Sequence, residues 1–346
     1  MKKDIRDFTL DGLRKELSSG KEPPHRAEQV FRWVNSKGAL GFDEMTDLPA
    51  SSRAFFAKYY RISVLSCGER LISSDGTEKF LWELEDGNLV ESVLISEAKR
   101  RTLCVSSQVG CKYGCPFCSS GASGFRRDLR TGEITGQVLE AARLGKEKIT
   151  NIVFMGMGEP FDNYHNVEKA IRVMNDPAGI ALGARRITVS TCGIIPGIDK
   201  LRDLGLQVEL SVSLHAADNS LRDELVPANR KYPLKRLIRS CREYHRATGR
   251  IITFEYTLIR NVNDSPEDAS KLASLAESVN AKVNLIGCSA SDEHAETSSS
   301  SKRIREFTGR LRKRKIKVTV RKSKGADIMA ACGQLAAKKA KGTGQR

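Results

Sequence analysis

The apolar side chains recur with helical spacing over residues 1–61. Val30, Phe31 and Val34 share one face of the segment at 26–34, and two glycines follow soon after it. Shorter helices are predicted on either side of that segment from the same kind of pattern. We expect residues 1–61 to form a small helical domain that packs against the rest of the protein or recognises a ligand.

The spacing of the apolar residues changes to two after residue 62. One alternating segment covers 80–84, and a second segment, rich in β-branched residues, covers 89–95. The residues between them, Glu-Asp-Gly-Asn, contain an Asp-Gly pair that suits a tight turn. The pattern predicts a β-hairpin, which we assign to an extension over residues 62–98.

Beyond Cys104, short strands alternate with helices of roughly eight to fourteen residues, a pattern typical of βαβ units and a parallel sheet. The predicted strands lie at 151–155, 186–190, 208–214, 251–258, 282–286 and 316–320, and the predicted helices at 167–174, 197–204, 234–247, 266–279 and 302–313. About six units are present, fewer than in a complete eight-fold barrel. The fold class is therefore α/β, and we predict a partial (βα)6 barrel over residues 99–335.

The basic residues are concentrated at one end of the chain. Of 346 residues, 58 are lysine or arginine and 42 are acidic, so the formal net charge is +16. Residues 301–346 contain 16 of these basic residues and two acidic ones. This concentration fits either a solvated helix face with a disordered basic tail at 336–346 or a phosphate-binding surface for nucleic acid. Charge alone does not decide between the two interpretations.

Composition also excludes several classes of protein. Because 40% of the residues are hydrophobic, the chain can bury a core, and wholesale disorder is excluded. No run of eighteen apolar residues occurs, and the opening Met-Lys-Lys-Asp lacks the apolar segment of a secretion signal. We expect a cytoplasmic protein that does not span a membrane.

Nine cysteines in such a chain point to metal-binding or catalytic thiols before a disulfide framework. Three of them, Cys111, Cys115 and Cys118, lie in the loop Cys-Lys-Tyr-Gly-Cys-Pro-Phe-Cys. Three thiolates at this spacing can bind one cuboidal iron–sulfur cluster and leave its fourth iron open. A zinc knuckle or a group of reduced thiols are the alternatives, although a structural zinc site needs four protein ligands.

The cysteine motif, with Phe117 before its third cysteine and a partial barrel behind it, resembles the radical S-adenosylmethionine (SAM) enzymes. Five further segments narrow the resemblance to the RlmN/Cfr group of RNA adenine methyltransferases. They are Cys-Val-Ser-Ser-Gln-Val-Gly-Cys at 104–111, Phe-Met-Gly-Met-Gly-Glu-Pro at 154–160, Ser-Thr-Cys-Gly at 190–193, Ser-Leu-His at 213–215 and Ala-Asp-Ile-Met-Ala-Ala-Cys-Gly-Gln-Leu at 326–335. The similarity covers nearly the whole chain, so residues 1–61 would be an RNA-recognition domain.

The resemblance implies a 4Fe–4S cluster and SAM as cofactors and 23S ribosomal RNA as the substrate, with transfer RNA as a second substrate in part of the family. The local motifs lean toward the RlmN branch, in which carbon 2 of an adenine at the peptidyl transferase centre receives the methyl group. The resemblance further implies an electron donor such as flavodoxin. We expect the protein to be a monomer.

Three catalytic residues are implied by the resemblance. Cys332 would carry the methyl group as S-methylcysteine, with two SAM molecules used per turnover. Cys104 would release the product by forming a transient disulfide bond with Cys332, and Glu91 would remove the ring proton. Each residue has a plain structural alternative: a thiol buried in the core for the two cysteines, and an exposed strand residue for Glu91.

A set of SAM-binding residues is implied in the same way. They are Gly158, Glu159, Ser190, Ser213, Leu214, His215 and Ser289. Glu159 would accept a hydrogen bond from the methionyl ammonium, and the glycines beside it would let the backbone approach the methionine. The family usually has an asparagine where this chain has Ser289, in an unusual polar loop at 287–301. A hydroxyl lacks the paired amide and carbonyl of asparagine, so this contact is the weakest of the set.

Three other functions stay open from the sequence. Methylation of carbon 8, as in the Cfr branch, would confer antibiotic resistance. The altered loop is the reason to consider a divergent paralogue that acts on another RNA or on a substrate that is not RNA. The third alternative is an iron–sulfur protein that binds RNA or senses redox state and transfers no methyl group. The remaining cysteines match no catalytic position, and we expect them to be structural; they are Cys67, Cys192, Cys241 and Cys288.

Overall fold

The structure is a computed structural model that describes residues 2–18, 20, 22–145, 148–287, 298–321 and 323–335. Its strands are β1 Lys3–Asp4, β2 Tyr60–Arg61, β3 Ser66–Ile72, β4 Glu78–Glu83, β5 Leu89–Glu97, β6 Arg100–Cys104, β7 Gln108–Val109, β8 Arg127–Asp128, β9 Asn151–Phe154, β10 Ile187–Thr191, β11 Glu209–Ser213, β12 Thr253–Leu258, β13 Lys282–Gly287 and β14 Val318–Arg321. Its helices are α1 Leu10–Ser18, α2 Arg26–Asn35, α3 Ala50–Tyr59, α4 Ser119–Ala122, α5 Thr131–Gly145, α6 Tyr164–Asn175, α7 Ile195–Arg202, α8 Asn219–Leu225, α9 Leu234–Thr248, α10 Pro266–Ser278 and α11 Ser301–Lys313.

Seven parallel strands form the larger part of a ten-stranded sheet. Their order is β6-β9-β10-β11-β12-β13-β14, and each neighbouring pair is parallel. Helices connect successive strands, so six βα units precede β14, and the predicted partial (βα)6 barrel is confirmed. Within the described part of the chain, no helix has the length and apolar character needed to cross a membrane.

The first βα unit was not predicted as such. Its strand is β6, and its helix is α5, which buries Ile134, Val138 and Ala141 at helical spacing. Glycines at 132 and 136 lie inside α5, and glycine is a poor helix former. Close packing accounts for the second of them, because a Cβ at Gly136 would lie 3.1 Å from the Leu65 side chain.

The predicted hairpin is present as β4 and β5, with Trp82 opposite Val90. The structure adds β3, which pairs with β4, and β5 pairs with β6, so three antiparallel strands continue the barrel sheet. Alternating exposed and half-buried residues make up β3, as expected for an edge strand, and this is why its apolar signal was weak. We call β3, β4 and β5 the antiparallel extension.

The helices predicted near the N-terminus correspond to α1, α2 and α3, which share an apolar core. Leu13, Val30 and Phe56 are fully or almost fully buried in it, and Val173 of α6 packs into the same core. The helical segment therefore packs on the barrel through α6. The domain boundaries stay predictions, and the expected basic tail at 336–346 lies outside the described residues.

A buried ion pair also joins the N-terminal segment to the barrel. Arg6 Nη1 lies 3.5 Å from Glu140 Oε1 in α5, and both side chains are at most 2% exposed. Burial lowers the pKa of the Arg6 guanidinium, whereas Glu140 favours its charged form. Removing one member of such a pair leaves an uncompensated charge in the interior.

The substitution Arg6→Met is expected to lower the free energy of unfolding by about 1–3 kcal/mol, because buried Glu140 would lose one cationic partner while keeping Arg143 at 2.8 Å. The matched control is Arg32→Met, which removes an exposed pair with Glu28 at 3.0 Å. That control is expected to change stability by about 0.5 kcal/mol or less. Urea denaturation followed by circular dichroism measures both effects, and equal losses would contradict the assignment.

Candidate active site

A cavity of about 410 Å³ opens at the carboxyl ends of the parallel strands. Its wall includes Phe154, Thr191 and Ser213, the last residues of β9, β10 and β11. Gly287 and Arg321, which end β13 and β14, also line it. Ligands of parallel α/β folds bind at this edge of the sheet, because loops from several strands meet there.

The three cysteines predicted to be metal ligands all line this cavity. Burial, with a smaller effect of charge on Cys118, raises the pKa of the Cys111 thiol to about 11 and that of the Cys115 thiol to about 12. A close backbone contact shapes the loop: Gly110 has φ +75°, and a Cβ there would lie 1.7 Å from Gly124 O. The loop therefore brings the three thiols to one wall of the cavity.

The three thiols are close enough to interact electrostatically, since charge on Cys118 raises the pKa of both other thiols. In a cuboidal cluster each of three thiolates binds a different iron. A structural zinc site needs four protein ligands. The donor set of this loop therefore fits an iron–sulfur cluster.

Glu159 lies in the same wall and is 4% exposed. Its Oε2 accepts a hydrogen bond from Cys192 N at 2.8 Å and its Oε1 one from Phe161 N at 3.1 Å. Burial raises the pKa of this carboxyl, and the two backbone N–H groups lower it. The carboxylate is thus fixed in place, and its remaining lone pairs can accept from a ligand ammonium.

Packing explains the glycines that precede Glu159. Gly158 has φ +97°, and a Cβ there would lie 2.5 Å from the Cβ of Gln108. A Cβ at Gly156 would lie 2.7 Å from Val105 O. Both glycines are therefore required by the loop that follows β6, while they also line the cavity.

Ser190, Ser213 and His215 line the cavity at the ends of β10 and β11, as predicted. Thr257 N donates to His215 Nδ1 at 3.1 Å, which leaves the proton of the neutral ring on Nε2. Burial, with a smaller effect of Arg222, lowers the pKa of His215 to about 3. His215 therefore acts as a neutral hydrogen-bond donor at physiological pH.

Leu214 does not point into the cavity. It is fully buried and belongs to the hydrophobic core, and the residues around the cavity do not include it. Its main chain is nevertheless held in place, because Leu214 O accepts from Arg222 Nε at 3.1 Å. Ser289, the last predicted SAM contact, lies outside the described residues.

Arg222 was not predicted as a site residue. Its side chain fixes the backbone next to the predicted SAM-binding residues through hydrogen bonds. It is fully buried, and its Nη2 donates to Cys192 O at 2.6 Å and to Ser213 O at 3.2 Å. Its Nη1 donates to Asn229 Oδ1 at 2.9 Å. One guanidinium thus connects the chain after β10 to the end of β11, and with them the predicted SAM-binding residues.

Cys332 and Cys104 differ in their exposure to solvent. Cys332 is exposed and lines the cavity, whereas Cys104, which ends β6, is buried. Burial and, to a smaller extent, charge on Cys332 raise the pKa of the Cys104 thiol to about 12, so the two thiols are close enough to interact electrostatically. Both are free thiols, so the structure gives no support to a disulfide bond between them.

Glu91 lies in β5, and the residues around the cavity do not include it. The alternative of an exposed strand residue is wrong, because Glu91 is 2% exposed. Its Oε1 lies 3.2 Å from Lys79 Nζ in β4. The Glu91 carboxylate is therefore buried and paired with a cation of the antiparallel extension.

Glu255 of β12 and Arg321 of β14 are among the polar residues of the cavity that were missed from the sequence. Glu255 accepts from Asn284 Nδ2 at 3.0 Å, and burial raises its pKa while Arg321 lowers it. An acid inside the apolar run Phe-Glu-Tyr at 254–256 was the available signal. Cys192, which was expected to be structural, lines the cavity and donates from its backbone to Glu159.

Two family models match this chain. The model described as Radical SAM superfamily matches residues 105–273. The model described as Ribosomal RNA large subunit methyltransferase N-terminal domain matches residues 3–62. The two matches cover separate parts of the chain, the first containing the cysteine loop and the second containing α1, α2 and α3.

Curated proteins similar to this chain include RNA methyltransferases. A probable dual-specificity RNA methyltransferase RlmN from Thermotoga neapolitana is 45% identical over 97% of this chain and 98% of its own length. A dual-specificity RNA methyltransferase RlmN from Anaeromyxobacter sp. is 43% identical over 99% of this chain and 93% of its own length. A crystal structure of a radical SAM methyltransferase from Sphaerobacter thermophilus superposes with a TM-score of 0.91 at 44% identity, covering 97% of this chain and 100% of that one.

Lowering the pH is expected to destabilise the protein through His215. The unfolded ring takes up a proton near pH 6.5, whereas the folded pKa is about 3, so this contribution to stability is lost as the pH falls below 6.5. Between pH 6.5 and 5 the loss is expected to be about 1.5 kcal/mol larger in the wild type than in His215→Gln. Urea titrations at both pH values measure it.

The control for this comparison is Ser190→Ala, a substitution in the same cavity wall that removes no titratable group. It should show the same pH dependence as the wild type. A pH dependence in His215→Gln that equals that of the wild type would contradict a neutral His215.

Proposed function

The chain belongs to the RlmN family of radical SAM RNA methyltransferases, and we propose that it methylates carbon 2 of an adenine in 23S ribosomal RNA. The enzyme uses a 4Fe–4S cluster and SAM, as its family does. One observation carries the proposal: the exposed Cys332 thiol lines the same cavity as the three-cysteine loop and Glu159, with the Cys104 thiol buried beside it.

Cys111, Cys115 and Cys118 would hold the cluster in one wall of the cavity. When bound and reduced there, the cluster supplies the one-electron cleavage of SAM that starts radical chemistry. Glu159 would accept a hydrogen bond from the methionyl ammonium, in line with its fixed and buried carboxylate. Nε2 of the neutral His215 would donate to an oxygen or ring nitrogen of SAM.

The two further thiols would divide the transfer between them. Cys332 would accept a methyl group by displacement on one SAM molecule and then carry the carbon that bonds to the adenine ring. Glu91 would remove the proton of the substituted ring carbon. Cys104 would attack the sulfur of Cys332 and displace the ring-bound carbon, which takes up a proton to become the methyl group, and the two cysteines are left in a transient disulfide bond. The interaction between Cys104 and Cys332 supports this last step.

Basic side chains of α11 and the chain after it would position the RNA. Lys302, Arg305, Arg310 and Arg312 are exposed on α11. Contacts of such residues with phosphates add affinity without reading the base sequence. We propose that transfer RNA, as a second substrate, binds to the same surface. We also propose that an electron donor such as flavodoxin reduces the enzyme, and that the enzyme is a monomer in the cytoplasm.

Ribosomal RNA from cells that express the gene is expected to carry a methyl group on carbon 2 of one adenine, and RNA from deletion cells is expected to lack it. Mass spectrometry of nuclease fragments locates the group, and comparison with synthetic standards separates carbon 2 from carbon 8. A methyl group on carbon 8, or unmodified RNA in both strains, would contradict the proposal.

Two cysteine variants are expected to stop the reaction at different points. Cys332→Ala should form no S-methylcysteine and no methylated RNA, because it lacks the sulfur that accepts the methyl group. Cys104→Ala should form a covalent link between protein and RNA that persists on a denaturing gel. In both variants the rate at which free methylated RNA forms should fall by more than about 100-fold, as is usual when a reacting group is removed.

The control for these variants is Cys67→Ala, since Cys67 lies on the edge strand β3, away from the cavity. Its activity should equal that of the wild type. Methylated RNA from Cys332→Ala at the wild-type rate would exclude the two-cysteine route.

A further inference from the structure

Lys79 connects two parts of the proposed catalytic apparatus. Its Nζ lies 3.2 Å from Glu91 Oε1, and the same nitrogen donates to Met329 O at 3.4 Å. Lys79 is 12% exposed at its side chain and Glu91 is 3% exposed, so the pair is shielded from water. Met329 precedes Cys332 by three residues. One ammonium group thus contacts the carboxylate and the loop that carries the reactive thiol.

The sheet register places these residues on one face. Lys79 lies opposite Val93, and Val93 lies opposite Cys104, so the three residues form a row across β4, β5 and β6. Glu91 precedes Val93 by two residues and therefore points to the same face. Lys79 and Glu91 are diagonal neighbours, a distance that long side chains can bridge.

The turn between β3 and β4 holds the Cys332 loop at a second place. Asp327 accepts hydrogen bonds from Ser73 Oγ at 2.6 Å and from Ser74 N at 3.1 Å. Gly325 N donates to Asp75 Oδ2 at 3.2 Å. Because the turn already fixes the start of the loop, the contact of Lys79 with Met329 O is one of several that position the loop.

The backbone of Glu91 is fixed from the barrel side. Ser106 Oγ donates to Glu91 O at 2.6 Å and accepts from Met157 N at 2.9 Å. These bonds hold the main chain of β5, but they leave the direction of the carboxylate to its own contacts. The Lys79 ammonium is a charged contact of that carboxylate, and it also reaches the Cys332 loop.

We propose that Lys79 is a positioning residue that aligns the Glu91 carboxylate with the Cys332 loop while RNA is covalently attached to Cys332. The inference rests on the proposed function, because it concerns the step in which Glu91 acts. In that step the proton of the substituted ring carbon passes to a Glu91 oxygen and the bonding electron pair stays in the ring. The unpaired electron that radical addition leaves in the ring would pass to the cluster held by Cys111, Cys115 and Cys118. Lys79 exchanges no proton and touches no substrate; it holds the acceptor in place.

Lys79 is therefore expected to matter after methyl transfer to Cys332 and not before it. In Lys79→Met, S-methylcysteine should form at the wild-type rate, since the turn at 73–77 still holds the loop. The covalent RNA adduct should then disappear ~10- to 100-fold more slowly, because misplacing a reacting group by about 1 Å can cost on the order of 10²-fold in rate. The KM for RNA should not change.

The experiment uses the full-length holoenzyme with an RNA fragment that contains the target adenine. Intact-mass analysis follows S-methylation of Cys332, and denaturing gels follow the adduct. Lys79→Arg keeps a cation and should restore most of the rate of adduct loss. Lys99→Met is the matched control, because Lys99 is an exposed lysine in the turn between β5 and β6, and it should behave as the wild type.

Three outcomes separate the inference from the proposed function. If Glu91→Gln and Cys104→Ala accumulate adduct and Lys79→Met does so as well, the inference is supported. If the first two accumulate adduct and Lys79→Met clears it at the wild-type rate, the inference is overturned and the proposed function stands. If neither Glu91→Gln nor Cys104→Ala forms an adduct, the proposed function itself fails.

Should Lys79→Met fold poorly by thermal melting, Lys79→Gln gives the same test. Glutamine can still donate to Met329 O, but it removes the positive charge beside Glu91. Slow adduct loss in this variant supports the inference. If the Lys79→Gln variant loses both S-methylation of Cys332 and formation of the adduct, Lys79 serves only to hold the loop, and the inference is overturned.

Discussion

The buried guanidinium of Arg222 is the contact on which the ends of the parallel strands depend. Taking a charge out of water is costly unless hydrogen bonds compensate for it. Here the guanidinium donates to the carbonyl oxygens of Cys192, Ser213 and Leu214, and to the Asn229 side chain. These acceptors belong to segments that lie far apart in sequence, so one charge defines how the chain leaves β10 and β11. The shape of the cavity wall follows from the way the chain leaves these two strands.

Because the strand ends are fixed, the side chains that point from them are preorganised. Glu159 is held by two backbone N–H groups, one of them from Cys192, whose carbonyl is bound by Arg222. His215 is held neutral by burial and oriented by Thr257 N. Preorganised polar groups in a cavity bind a ligand without paying again for their own ordering. The proposed SAM site is thus a consequence of the same contacts that close this end of the barrel.

Regular spacing made most of the barrel and the hairpin predictable. Strands β9 to β14 and their helices alternate clearly in hydrophobicity, and the Asp-Gly pair marks the turn between β4 and β5. Edge strand β3 and the glycine-interrupted α5 were missed, because tertiary packing stabilises them against weak local preferences. Among the site residues, motifs identified the cysteine loop and Glu159. Arg222 and Glu255 carried no motif, and their roles depend on contacts between segments that no local pattern encodes.

Surface exposure distinguishes the two proposed catalytic thiols in a way that sequence spacing could not. A thiol reacts as its thiolate, and a buried thiol keeps its proton. Burial raises the pKa of both thiols, that of Cys104 to about 12, but Cys332 is the more exposed residue and lines the cavity where SAM would bind. Under the proposed function the accessible sulfur is methylated first, and the buried sulfur is kept from competing for that methyl group. Cys104 would become reactive when RNA on Cys332 places an electrophilic sulfur beside it, so the order of the two steps follows from where the fold places each thiol.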